Sequence, residues 1–256
     1  MATRCAKEGM PFLLEKPLSL NLKGVKYLKE IVQKKKLICG VAYVRRSFPS
    51  FKKLKELILS GLIGRIKMGR FNCSQNYPEY RPDYQKIYYS KEKMGGGCIL
   101  DTASHMINLA EWFFGKAEEV VSFYDRLELK GVECEDSSII LLRFKRNRAL
   151  VEIFLNQFQK PNIFEIEIIG TKGNLRYGVK DRVHRITFCG NAKNQWQEIE
   201  RFCYNRDDFY ILQAKEFLAA LDSKTLLPTS IKEAESTLRI CLSAKKSQRK
   251  NRILKV

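Results

Sequence analysis

Between Glu119 and Phe202 the chain runs as strand after strand, and that texture calls for a largely antiparallel sheet. Ser138–Phe144 and Leu150–Phe158 flank a turn at Arg146-Asn147. Ile163–Ile169 and Asn174–Val179 meet at Gly170-Thr171-Lys172-Gly173, a clear hairpin signal. Two amphipathic helices finish the chain, near Asp208–Leu221 and Ile231–Lys246.

The segment ahead of this sheet reads differently. Pro11–Leu14 is a short buried run that must stop at Glu15-Lys16-Pro17, because Pro17 cannot donate a ladder hydrogen bond and biases Lys16 away from helix. Ser19 or Asn21 can cap a helix whose stripe is Leu22, Val25, Leu28 and Val32, and Leu37–Tyr43 reads as a second buried strand. Strand, helix, strand at this spacing is the βαβ unit of a parallel sheet. Phe51, Leu54, Leu57 and Ile58 make a further helix, stopped at Gly61 and Gly64. Ile66–Cys73 leads into an aromatic, polar stretch over Gln75–Ser90, long enough to be a functional loop. Gly95-Gly96-Gly97 then opens a helix over Ile99–Phe114, closed by Gly115. The expected order is therefore a βαβ piece followed by an α+β domain.

Lys and Arg number 47 against 28 Asp and Glu, a net charge of +19. The cations sit on nearly every expected element and form no zinc-finger, RNA-recognition or basic-zipper signature, which favours a solvated lysine-rich surface over nucleic-acid binding. The eight cysteines are scattered, with no CxxC pair and no zinc spacing, so they read as reduced and no metal is expected. No apolar run reaches the roughly 18 residues of a membrane span, and Met1–Glu8 lacks a signal core. A cytoplasmic protein without a membrane partner is the expectation.

Two segments carry chemistry. Asp101 and His105 are spaced i and i+4, so on a helix they share one face, with Asn108 extending the stripe. A carboxylate one turn from an imidazole can fix its tautomer and raise its basicity, which suits general acid–base work. The three glycines would allow backbone to approach a ligand at the helix start. Equally, Asp101 can be a residue favoured by the helix dipole and His105 an incidental surface histidine. Lys16 ends a parallel strand, where open α/β sheets bind ligands, or simply reaches solvent.

Taken together, these motifs resemble the Gfo/Idh/MocA (glucose–fructose oxidoreductase, inositol dehydrogenase, MocA) family. Phe12–Ser19 looks like its EKPL(S) signature, Arg46-Ser47-Phe48-Pro49 like its R-x-x-P, and Ser60–Ile66 like its GxIGxI turn. Gly95–His105 resembles its GGG…DxxxH helix, and Ile168–Gly173 its IxGxxG hairpin. The resemblance implies an NAD(P)-dependent oxidoreductase acting on a sugar, polyol or sugar derivative. It gives Lys16, Asp101 and His105 catalytic roles, and Glu15, Lys16, Pro17 and Arg46 a place near the cofactor. Arg81, Tyr84, Tyr88 and Asn108 become candidates to line the substrate pocket, although many relatives carry Asp where Asn108 stands.

That family opens with a Rossmann domain bearing a GxGxxG loop upstream of the EKP strand, whereas EKP here begins at residue 15 and the only earlier glycine is Gly9. The expectation is that residues 1–45 are a remnant of the dinucleotide-binding domain and residues 46–256 the family's C-terminal substrate and oligomerisation domain. NAD or NADP would then bind weakly or not at all to this chain alone, which is expected to be truncated and inactive by itself. The competing reading is a non-catalytic module that assembles as a homo-oligomer through the C-terminal sheet.

Overall fold

A computed structural model describes residues 1–190, 195–205, 207–225 and 227–256. It opens with a short helix, α1 (Ala2–Lys7), which the sequence reading did not anticipate. Strand β1 (Phe12–Leu14), helix α2 (Val25–Lys34) and strand β2 (Cys39–Val41) follow, and the two strands pair in parallel with Phe12 opposite Cys39. Val25 and Leu28 of α2 close over Val41 and Tyr43 in a small core that also takes Ala6 and Leu18.

Among the described residues the large sheet has nine strands. β3 (Ile66–Asn76) comes first in sequence, after helix α3 (Pro49–Leu59). A short helix α4 (Tyr77–Tyr80) and a looping segment lead to α5 (Ser104–Phe114). There follow β4 (Ala117–Asp125), β5 (Ser137–Phe144), β6 (Leu150–Asn156), β7 (Phe158–Gly170), β8 (Gly173–Lys180), β9 (Val183–Gly190) and β10 (Gln197–Cys203). Helices α6 (Asp208–Ser223) and α7 (Ile231–Arg249) and a two-residue strand β11 (Leu254–Lys255) complete the chain. The strand order is β10-β9-β8-β7-β3-β6-β5-β4-β11. All pairs are antiparallel except β3 with β6, so the expected antiparallel sheet is present with one parallel seam at its centre.

One face of this sheet carries the main core, where Phe71, Ile140, Ile153, Ile166 and Tyr177 meet Phe51 and Leu54 of α3, Met106 and Phe113 of α5, and Leu238 and Cys241 of α7. The strands alternate, yet the outward positions are not uniformly polar: Met68, Ile139, Leu141 and Leu150 stand exposed on the opposite face. Helix α7 begins with a capping box, in which Ser230 Oγ accepts from the Glu233 amide (3.2 Å) and the Ser230 amide donates to the Glu233 carboxylate (2.9 Å). Its first turn packs Ile231 and Ala234 into the small core and its later turns enter the main one, so a single helix spans both.

Candidate active site

Three distant segments converge at the carboxyl end of β1. Lys16 follows the strand, and the Lys16–Pro17 peptide is cis. Its ammonium donates to the Asp101 carboxylate (Oδ1, 2.6 Å) and to the Asp101 carbonyl (2.9 Å), and the Tyr88 hydroxyl donates to the same Oδ1 (2.7 Å). The ion pair is mostly buried, which strengthens it relative to a surface pair.

Asp101 is held there by the way its helix begins. Residues Ile99–Ala103 form a π-helical turn before α5 starts at Ser104. Glu135 seats that turn: its carbonyl accepts from the Cys98 amide (2.9 Å), its carboxylate from the Ile99 amide (3.1 Å), and Lys245 of α7 neutralises it at 3.0 Å. The glycine run was expected to let a ligand approach; instead protein occupies that space. A Cβ on Gly96 would lie 2.1 Å from the Tyr89 carbonyl oxygen, and one on Gly97 2.6 Å from the Glu135 carboxylate. The glycines are needed because chain packs against chain.

His105 lies a turn further on. Its ring meets Tyr43 edge-on at 5.5 Å between centroids, and its buried Nδ1 has no hydrogen-bond partner among the described residues. The expected carboxylate–imidazole contact is not made, since Asp101 turns its hydrogen-bonded oxygen to Lys16 and Tyr88. Burial, and then the charges of Lys16 and Arg45, hold His105 well below the ordinary histidine range, so the ring is neutral near pH 7. Tyr88 is pushed above its usual range by burial and the Asp101 carboxylate, and stays a donor.

His105 opens on a cleft of about 430 Å³ whose walls include Arg45, Phe48, Gln75, Phe164 and His184. His184 is held neutral down to about 4 by burial and then by the Arg45 charge, and it shares a hydrogen bond with the Tyr177 hydroxyl.

The remaining candidates fall elsewhere. Arg46 is 3% exposed and bonded to the Asn108 side-chain oxygen (2.8 Å), the Asn108 carbonyl (3.2 Å), the Pro228 carbonyl (3.3 Å) and the Glu233 carboxylate (2.9 Å). Asn108 donates in turn to Thr237 (3.0 Å). These two join α5 to α7 inside the core and do not meet Lys16. Glu15 and Arg81 are exposed, Pro17 is half-buried, and Tyr84 packs edge-on against Tyr77. Sequence reasoning passed over Tyr43, Arg45 and His184. The second histidine and the doubled arginine were visible, but nothing local tied them to residue 105.

A family model for the GFO/IDH/MocA C-terminal domain matches residues 51–176. Over 98% of its length the chain is 28% identical to a myo-inositol 2-dehydrogenase of Thermotoga maritima, covering 74% of that protein. It is 25% identical over 97% of its length to the scyllo-inositol 2-dehydrogenase (NAD(+)) of Bacillus subtilis, covering 71%. The fold matches that of a levoglucosan dehydrogenase solved with NADH and L-sorbose, with a TM-score of 0.87 and 19% identity over the whole chain and 75% of that structure. Residues 51–176 thus carry a GFO/IDH/MocA C-terminal domain, and the proteins that the chain resembles along nearly its whole length are named dehydrogenases.

Proposed function

We propose that the chain forms the substrate side of an oxidoreductase that exchanges hydride with a carbinol carbon of a sugar, polyol or sugar derivative. The observation that carries this reading is the Lys16–Asp101–Tyr88 cluster, together with a neutral His105 whose buried Nδ1 lacks a partner. The inositols in the relatives' names support the substrate class. On the same reading residues 1–45 belong to a dinucleotide-binding domain and residues 46–256 to the substrate domain.

A bound oxidised nicotinamide would supply the hydride acceptor for the carbinol carbon. The chain's own part is positioning and proton transfer. Lys16, fixed by Asp101, donates to the substrate hydroxyl oxygen and stabilises negative charge developing there. His105 accepts the hydroxyl proton as the carbonyl forms, and returns it in the reverse direction. Tyr88 holds the Asp101 oxygen that anchors Lys16, and so acts on position.

These residues fit the reacting end of a nicotinamide dinucleotide and not its pyrophosphate. The glycine-led helix start is closed, because the Glu135 carboxylate already accepts from the Ile99 amide that a phosphate would need. NADH is therefore expected to bind the 256-residue chain more weakly than about 1 mM, and calorimetry showing micromolar binding would contradict this.

The full reading is tested by joining a dinucleotide-binding segment of the Thermotoga relative ahead of residue 1 and following NAD(P)H formation over a panel of polyols and sugars. Turnover should fall by about a thousandfold in Lys16→Met and in His105→Ala. A fusion that binds NAD+ yet keeps its activity without His105 overturns the assignment. One that binds NAD+ and never transfers hydride leaves the chain as a binding module.

The exposed apolar face of the sheet favours a further role, self-association. Met68, Leu141, Leu150, Ile169 and Ile253 surround a groove of about 480 Å³ there.

A further inference from the structure

Two adjacent arginines meet very different surroundings. Arg46 is neutralised by Glu233 and saturated by carbonyl oxygens. Arg45 makes no ion pair among the described residues. Its partners are soft: Nη2 lies 3.5 Å from the Cys73 sulfur, a weak acceptor, and the guanidinium sits 4.2 Å from the centroid of the Phe164 ring. Neither cancels a charge.

The cleft that Arg45 lines holds no carboxylate among its described walls. Its other titratable nitrogens belong to His105 and His184, and both rings are pushed toward the neutral form in part by Arg45 itself. The interior is thus positive without a counterion, whereas Lys16 is paired with Asp101 and Lys245 with Glu135. An unpaired guanidinium in a partly desolvated cleft is costly unless a ligand supplies the anion, and its planar fork suits a carboxylate or a phosphate. The volume of about 430 Å³ lies at the small end of ligand sites, enough for one sugar ring, and Phe48 and Phe164 are among its walls.

We propose that the substrate of this cleft is an anionic monosaccharide, a sugar acid or sugar phosphate, whose acid group is held by the Arg45 guanidinium. This rests on the reading of the cleft as a sugar site. It also adds to the mechanism: an anion beside Arg45 offsets the positive field at His105 and makes that ring a stronger proton acceptor in the complex than in the free protein.

The test is calorimetric titration of the 256-residue chain, at fixed ionic strength and without cofactor, with D-glucuronate, D-glucose 6-phosphate and D-glucose. At least one of the two anions should bind about tenfold or more tightly than glucose, and which one does so separates carboxylate from phosphate. The advantage should vanish in Arg45→Met and be retained in part in Arg45→Lys. Glucose binding as tightly as both anions overturns the proposal, and so does the absence of binding by all three at about 20 mM. An anion advantage that survives in Arg45→Met also overturns it, because the anion is then held by surface lysines. The two readings fail separately. Arg45-dependent glucuronate binding with no hydride transfer in the fused protein would remove the oxidoreductase reading alone. Turnover of neutral polyols unchanged by Arg45→Met would remove this one alone.

Discussion

Glu111, one turn beyond the Arg46–Asn108 contact on α5, is a carboxyl in an unusual position. Ser236 (2.6 Å) and Thr237 (3.3 Å) of α7 donate to it, yet burial outweighs them and raises its pKa from 4.5 to about 7. Arg46 acts to lower it and Glu233 to raise it. A raised acid is stabilising when protonated, so its contribution is fully present below about 4.5 and is lost as pH rises through about 7. Chemical denaturation at pH 5 and pH 8.5 should therefore differ by on the order of 2 kcal/mol from this group alone. Glu111→Gln, which keeps an oxygen for Ser236, should remove that difference; an unchanged pH dependence in the variant would place its origin elsewhere.

At the scale of elements, the start of α5 decides whether the site exists. The π turn, the Glu135 cap and the glycine run act together, and Gly96 is the least replaceable part because its neighbour is backbone. Gly96→Ala should cost about 2–4 kcal/mol in chemical denaturation, and it should displace Tyr88 from Asp101. Folding energetics equal to the parent would refute that close approach. Much of this element was legible beforehand: the Asp101–His105 spacing and Gly115 bounded a helix, and Pro17 ended a strand after Lys16. The contacts that give those residues meaning were not. Lys16 and Asp101 are 85 residues apart, Tyr88 is one of five tyrosines in its loop, and a π turn leaves no trace in hydrophobic spacing. Arg46 was expected beside the cofactor and Asn108 in the substrate pocket, and sequence alone did not reveal that each completes the other's hydrogen bonds.

For the molecule as a whole, the sheet's open face sets the next expectation. Phe123, Leu141 and Met68 are each about half or more exposed, and a two-fold pairing would bury the same patch on both copies. Light scattering on a sizing column should give a defined oligomer at tens of micromolar, and Leu141→Asp should convert it to monomer while each copy stays folded. A parent chain that runs as a monodisperse monomer would rule out that interface.

The central place of β3 has a further consequence, for the order in which the chain can fold. β3 pairs with β6 through Met68 and Leu150 and with β7 through Ile66 and Gly170, so the middle strand of the sheet has no partner until β6 has been made and is not paired on both sides until residue 170. During synthesis α5 leaves the ribosome before the sheet it packs on exists. Contacts this distant are slow to close, and an unpaired hydrophobic strand is exposed meanwhile. Assembly of the Lys16–Asp101 pair is then a late event, and a ribosome stalled before β7 would carry a chain with its site residues present on an unfinished sheet.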